Sequence, residues 1–156
     1  MIRTLNKIER LILLESNYIG NLSYIYRNRP YIAPITYYFN KDTNTIIGYS
    51  AEGHKVKAMR QNSNVCLSVS EIDSVNSWKS VLAQGVFIEL TGSNAKAKLH
   101  EFSLGVKDLI INKEHRELDF ISDFSSKIYK GDLPVIFIIK VEEVTGKMRR
   151  HEKSNS

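Results

Sequence analysis

Apolar residues along this chain switch between helical and alternating spacing, and each switch marks an expected element. Leu5, Ile8, Leu11 and Ile12, with Glu15 after them, recur at helical spacing behind Thr4. That predicts a short amphipathic helix, N-capped by Thr4 and lying as a lid on something larger. From Tyr18 to Tyr26 the pattern alternates instead, with Ile19, Asn21, Ser23 and Ile25 on one side and Gly20, Leu22, Tyr24 and Tyr26 on the other. Arg27-Asn28-Arg29-Pro30 reads as a turn and Tyr31 to Phe39 as the partner strand of an antiparallel hairpin. Pro34 interrupts that partner strand. Proline donates no ladder hydrogen bond, so it marks an edge or barrel corner, or a backbone facing a ligand. After a second turn at Asn40 to Asn44, Thr45 to Ser50 forms a third strand, which stops at a polar turn before a helix through Val56, Ala58 and Met59.

Asn62-Ser63-Asn64 ends that helix, Val65 to Val69 reads as a buried strand, and Glu71 to Asn76 as a polar loop. Trp78 to Leu90 is a long strand in which Gly85 predicts a bulge or bend. A helix from about Asn94 to Ile111 would bury Leu99, Phe102, Val106, Leu109 and Ile110, weakened by Gly105. Residues 112–131 are charged and aromatic, with a helix expected across Leu118 to Ile128. Pro134 opens a last strand, Val135 to Val141, apolar enough to be buried on both faces. The basic end from Lys147 reads as frayed. Hairpin order with about six strands and two or three helices predicts a mainly β fold: an antiparallel barrel with peripheral helices, closed so that few edges remain. Thr45 to Ser50 and Val65 to Val69 are expected to be neighbours in it. Residues 1–156 read as a single domain without repeats or linkers.

Composition narrows the partners. A hydrophobic share of 42% with six Phe and eight Tyr suffices for a packed core. Lys147, Arg149, Arg150 and Lys153 against Glu152 give the last ten residues +3, leaving only +2 of the net +5 for the other 146. The pI near 9.3 is therefore largely a tail property, which argues against nucleic-acid and membrane-surface partners. The single Cys66 sits in an apolar run and points to a reducing compartment. No signal peptide is visible and no run approaches the roughly 18 apolar residues of a membrane span, so a cytoplasmic protein is expected.

Candidate chemistry concentrates at Ile47 to Lys55. Ser50 offers a hydroxyl, Gly53 lets a backbone amide approach a ligand, and His54 and Lys55 put basic groups at a helix start, a combination suited to phosphate. His100, His115 and His151 lack metal-site spacing, one cysteine supports no zinc set, and no G-x-S-x-G turn occurs. The tyrosine-rich hairpin with Arg27 and Arg29 has the composition of a base-stacking surface, against which the nearly neutral body argues. Trp78 reads as a packing or interface aromatic.

Several segments together resemble the FMN-binding split barrels related to pyridoxamine 5'-phosphate oxidase, nearest to the nitroimidazole-resistance flavoproteins. They are Ile19-Gly20, Arg29 to Tyr37, Gly53-His54-Lys55-Val56, Asn64-Val65-Cys66 and Trp78 to Val81 with Gly85, spread over roughly residues 5 to 92. The resemblance implies a six-stranded antiparallel split β-barrel and a homodimer holding FMN at its interface. Carried over by position, Ala33, Pro34, Ile35 and Thr36 would lie against the isoalloxazine, with Pro34's backbone facing the flavin rather than a ladder partner. Tyr49, Ser50, His54 and Lys55 would surround the ribityl chain and phosphate, and Ser80 and Val81 would approach from the other side or from the neighbouring subunit. The activity implied is an FMN-dependent oxidoreductase passing electrons to a small organic acceptor, such as a nitroimidazole-type nitro compound. A non-catalytic flavin-binding or storage protein and a haem-handling split barrel are the alternatives. Tyr49 stands where several nitroimidazole-resistance members carry histidine. Beyond Gly92 the chain lacks the C-terminal Trp and Arg pattern of true pyridoxamine phosphate oxidases, so vitamin B6 oxidation is not expected.

Overall fold

The first hairpin is fixed by its two-residue turn. Arg27 and Asn28 both hold positive φ, 49° and 64°, as the turns that match strand twist require. Strands β2 (Ile19–Tyr26) and β3 (Arg29–Asn40) therefore pair from Tyr26 opposite Arg29 to Ile19 opposite Thr36. Arg29 and Pro30 belong to the strand, not to the turn. The computed structural model describes residues 1–114 and 134–150. The helix expected across Leu118 to Ile128, His115, His151 and Lys153 lie outside them.

The remaining elements are β1 (Ile2–Thr4), α1 (Lys7–Glu15), β4 (Thr45–Ser50), α2 (His54–Gln61), β5 (Asn64–Ser74), β6 (Ser77–Leu90), α3 (Gly92–Glu114) and β7 (Val135–Arg149). The sheet runs β1-β7-β4-β3-β2-β5-β6, and a further β6–β7 pairing closes β2 to β7 into an antiparallel ring. The six-stranded split barrel stands, with β1 as an unforeseen seventh strand on β7. Strands β4 and β5 are not neighbours, contrary to expectation, because β3 and β2 lie between them. Helix α2 carries the chain across the barrel, packing on β2 and β6 with Val56, Ala58 and Met59 fully buried.

Four local expectations change. Thr4 sits in β1, opposite Lys147, and Asn6 is the cap. Glu9 N–H donates to Asn6 Oδ1 (2.9 Å) and Asn6 N–H to Glu9 Oε1 (3.1 Å), a reciprocal capping box. Arg3 grips the same carboxylate, and these hydrogen bonds, Arg3's foremost, pull its pKa down to about 2. Their contribution is present above the ordinary carboxylate range and is lost as pH falls toward about 2. Glu71 to Ser74 continues β5 as exposed strand, because a solvated hairpin arm has no apolar period to reveal it. Lys147 to Arg149 are not frayed but held between β1 and β6, with Met148 buried. In α3, Leu109 is only partly buried, and Gly105 has a packing reason: a Cβ there would lie 2.2 Å from the Tyr38 ring. The bulge expected at Gly85 is present as a register shift between Gln84 and Gly85 against β7.

Two cores result. The barrel interior holds Leu13, Leu14, Leu22, Tyr37, Phe39, Ile46, Leu67, Phe137 and Ile139 among others, so α1 closes the barrel as a lid. A second cluster, with Ile47, Leu99, Phe102, Val106 and Ile136, lies under α3. Strand β7 serves both, alternate residues feeding each, as expected of a strand buried on two faces. Among the described residues no helix is long and apolar enough to cross a membrane.

Inside the barrel the Tyr37 hydroxyl donates to the Leu14 carbonyl at 2.7 Å, and burial pushes its phenol pKa well up. Tyr37→Phe leaves that carbonyl without its partner and should cost about 1–3 kcal/mol in urea unfolding. A loss below about 0.5 kcal/mol would show that water replaces the hydroxyl.

Candidate functional site

A gap in the ring organises the site. Strand β3 pairs with β4 only from Tyr37 opposite Gly48 to Asn40 opposite Thr45. Beyond Gly48 that pairing stops, and Tyr49 and Ser50 keep only the β7 partners that all of β4 has on its other edge, Ile136 and Val135. From Arg29 to Thr36, β3 therefore has β2 on one side and an open edge on the other. The Tyr37 N–H donates to Tyr18 O, on the β2 side, at 2.8 Å. Two-residue alternation then turns the amides of Ile35 and Ala33 toward β2 and the backbone of Thr36, Pro34 and Ile32 toward the gap. Pro34 forfeits no ladder bond there. It does have a cross-strand partner, Asn21, on its paired side, so the expectation of a backbone without a ladder partner holds only for the open side.

Where β4 ends, the chain turns through Ala51 to Gly53 into α2. The Ser50 side chain is buried and donates to Ala51 O at 3.1 Å. Gly53 caps α2 in extended conformation, no side chain caps the helix, and its first turn carries no acid. A Cβ at Gly53 would meet nothing within 4 Å. Lys55 is partly buried and has no carboxylate partner among the described residues. Arg60, in the last turn of α2, pins the loop before the helix by gripping Glu52 (2.6 and 3.0 Å) and Glu89 of β6 (3.0 Å through Nε). Open helix amides and a lysine without a carboxylate partner, with free space beside Gly53, are a combination suited to phosphate.

His54 is not simply solvated. Tyr24 and Tyr31, opposite each other across the hairpin, stack at 5.5 Å and 10°. The His54 ring stands edge-on to Tyr26 (4.7 Å) and Tyr31 (4.8 Å), with Nδ1 3.2 Å from the Tyr24 hydroxyl. Sequence reading did not join His54 to these tyrosines. The two-residue turn at Arg27-Asn28 is the signal that could have, since it alone sets Tyr24 opposite Tyr31.

Not all the candidates meet. Ala33, Pro34 and Thr36 lie on the unpaired stretch of β3, and Ser50, His54 and Lys55 lie where its neighbour β4 ends and α2 begins. Ile35 and Val81 point into the barrel core, at 7% and 1% exposure, with the Ile35 amide turned to β2 and Val81 paired on both sides, to Val69 of β5 and Gly146 of β7, so neither offers a group to the open edge. Tyr49, adjacent to Ser50 on a strand, faces the opposite way, with its ring edge-on to Phe102 of α3 at 5.2 Å, where burial raises its phenol pKa. Its side chain does not join the phosphate corner. Ser80 accepts from Ser70 Oγ (3.1 Å) on β6, three strand spacings from β3, or about 14 Å round the sheet. Between them the outer face of β3, β2 and β5 exposes Ile32, Ile19, Ile25 and Ile72, at 71%, 57%, 36% and 73%. A hollow of about 430 Å³ on that face is lined by Ile19, Asn21, Ser68, Ser70 and Lys113, among others. A larger one, about 630 Å³, lies between α3 and the ends of β6 and β7 and is lined by none of the candidate residues.

With this geometry in place, comparison with known proteins is decisive. The sequence model described as pyridoxamine 5'-phosphate oxidase matches residues 7–148. The chain belongs to the pyridoxamine 5'-phosphate oxidase family. It is 26% identical over 148 residues to an uncharacterized protein of Rhizobium meliloti, covering 94% of each chain. In fold this family member resembles an FAD-binding protein from Mesorhizobium loti (TM-score 0.73, 24% identity, 97% of this chain and 98% of that one). It also resembles a candidate 5-nitroimidazole antibiotic resistance protein from Bacteroides thetaiotaomicron (TM-score 0.68, 16% identity, 97% and 93%). At these identities the likeness is one of fold.

Proposed function

We propose that the gap between β3 and β4 holds a flavin by its FMN moiety and that the protein is a cytoplasmic, FMN-type oxidoreductase passing electrons to a small organic acceptor such as a nitroimidazole-type compound. One observation carries the reading: β3 loses its pairing with β4 along the stretch that bears Pro34, and β4 then leads directly into a helix start left uncapped beside Lys55. Lys55 and the α2 amides would offset a phosphate charge of about −1.5 to −2. The Ser50 hydroxyl, once turned from Ala51, would donate to the ribityl chain or phosphate, and the Thr36 and Ile32 amides to the polar edge of the ring, with Ala33 and Pro34 as apolar cover. Bound there, a flavin would supply hydride or electron transfer while these residues fix its position and exclude water.

A homodimer completes the arrangement. The four exposed isoleucines form a surface of the kind that marks an interface, and a second copy laid on it would bring its own Ser80 to the open side. The test is direct: purified protein incubated with FMN and desalted should retain a flavin absorbance spectrum, and a colourless product refutes the site. Tyr49 favours one second reading. Its ring is turned under α3, so it cannot deliver a proton at the position where related proteins have histidine, which suits a flavin-storage role. Anaerobic reduction followed by a nitroimidazole decides between the two, since rapid reoxidation excludes storage.

A further inference from the structure

The larger of the two hollows has no part in the flavin reading. It lies between α3 and the ends of β6 and β7, encloses about 630 Å³, and has Leu90, Leu99, Val135 and Ile136 in its wall. That size falls within the range of small-molecule pockets, about 300–1,000 Å³, whose walls are mostly apolar with a few placed polar groups. Here the placed groups are basic. Lys96, His100 and Lys107 line the same hollow, and their spacing of four and seven residues sets them on one face of α3. All three are exposed, and none has a carboxylate partner among the described residues, whereas Lys98 beside them pairs with Glu101 at 3.0 Å. Glu89, an acid in the lining, is already held by Arg60 of α2 at 3.0 Å. The hollow thus combines an apolar wall with uncompensated positive charge.

We infer that it binds a small molecule with an apolar body and a single carboxylate, a chemistry represented by medium-chain fatty acids. The wall takes the body and the cations take the head. A ligand charged at both ends does not suit it, because the second charge would be desolvated against Leu90, Leu99, Val135 and Ile136. A neutral ligand gains nothing from the three basic side chains. None of the residues assigned to the flavin lines this hollow, so the inference stands independently of that site.

Titration calorimetry of the full chain with octanoate, octanol and octyltrimethylammonium, equal in chain length, tests it. Octanoate should bind at least about fivefold tighter than octanol, the gain from two or three solvent-exposed ion pairs, with the cation weakest. From hexanoate to octanoate to decanoate, affinity should rise about 2- to 4-fold for each methylene buried. Lys96→Glu combined with Lys107→Glu, both at exposed positions, should weaken octanoate at least about fivefold and leave octanol unchanged. Ala95→Trp, which sets an indole into the hollow, should abolish octanoate binding. Undiminished octanoate binding in either folded variant places the ligand elsewhere, such as the exposed isoleucine face, and overturns the site. Should Ala95→Trp fail to fold, the lysine pair decides alone. Equal affinity for the three head groups overturns the carboxylate assignment, and binding of none overturns the hollow as a ligand site.

Discussion

Lys55→Glu should abolish flavin retention while leaving the fold as stable as before. The substitution replaces an attraction to phosphate by a repulsion, each worth about 4 kcal/mol at contact distance in a surface-like dielectric. Even after generous screening, binding should fall by at least about 100-fold, and desalted protein should be colourless. Lys55→Gln, which removes only a charge-assisted hydrogen bond of about 1.5–3 kcal/mol, should weaken binding by roughly 10- to 150-fold. Stability separates this from unfolding. Residue 55 lies in the first turn of α2, where a carboxylate is favoured by the helix dipole by about 0.3–1 kcal/mol, so the melting temperature should hold or rise. Undiminished flavin absorbance in Lys55→Glu would place the phosphate elsewhere and remove the basis of the site.

How much of this was legible follows from which residues answer to local rules. Period-two alternation revealed β2, β3 and β6, because each has one face in the barrel and one outside it. The same rule failed for Glu71 to Ser74, whose strand is exposed, and for Ile2 to Thr4, whose pairing with β7 is settled only by the far end of the chain. Strand order was wrong for a related reason. Adjacency of β4 and β5 in sequence says nothing about where α2 lands, and α2 crosses the barrel to reach β2 and β6. At the site, Gly53, His54 and Lys55 could be read because a helix start is a local event. The opposite facings of Tyr49 and Ser50 were also readable from strand geometry, yet carrying positions over from related proteins grouped them on one ligand. The tyrosines around His54, the grip of Arg60 on Glu52 and Glu89, and the β3–β4 gap depend on register and closure, which a single sequence does not specify.

Phe137→Ala should be the most destabilising single change in the barrel, costing about 3–5 kcal/mol, a large part of the roughly 5–15 kcal/mol by which domains are stable. Phe137 is fully buried, tilted against Phe87 at 5.2 Å, and sits opposite Gly48 of β4. Its ring fits because Gly48 has no side chain: a Cβ there would fall 2.7 Å from Phe137 Cζ. The pair is therefore one packing unit. Gly48→Ala alone should cost about 1–3 kcal/mol through overpacking. In the double variant the added methyl enters the space the ring has left, so the combined loss should be smaller than the sum, with a coupling of about 0.5–3 kcal/mol. Urea unfolding of the four proteins measures this, provided the slopes agree. Strict additivity would mean that ring and glycine do not share the space, and that the seam where β4 meets β7, two residues before β4 ends, is packed differently.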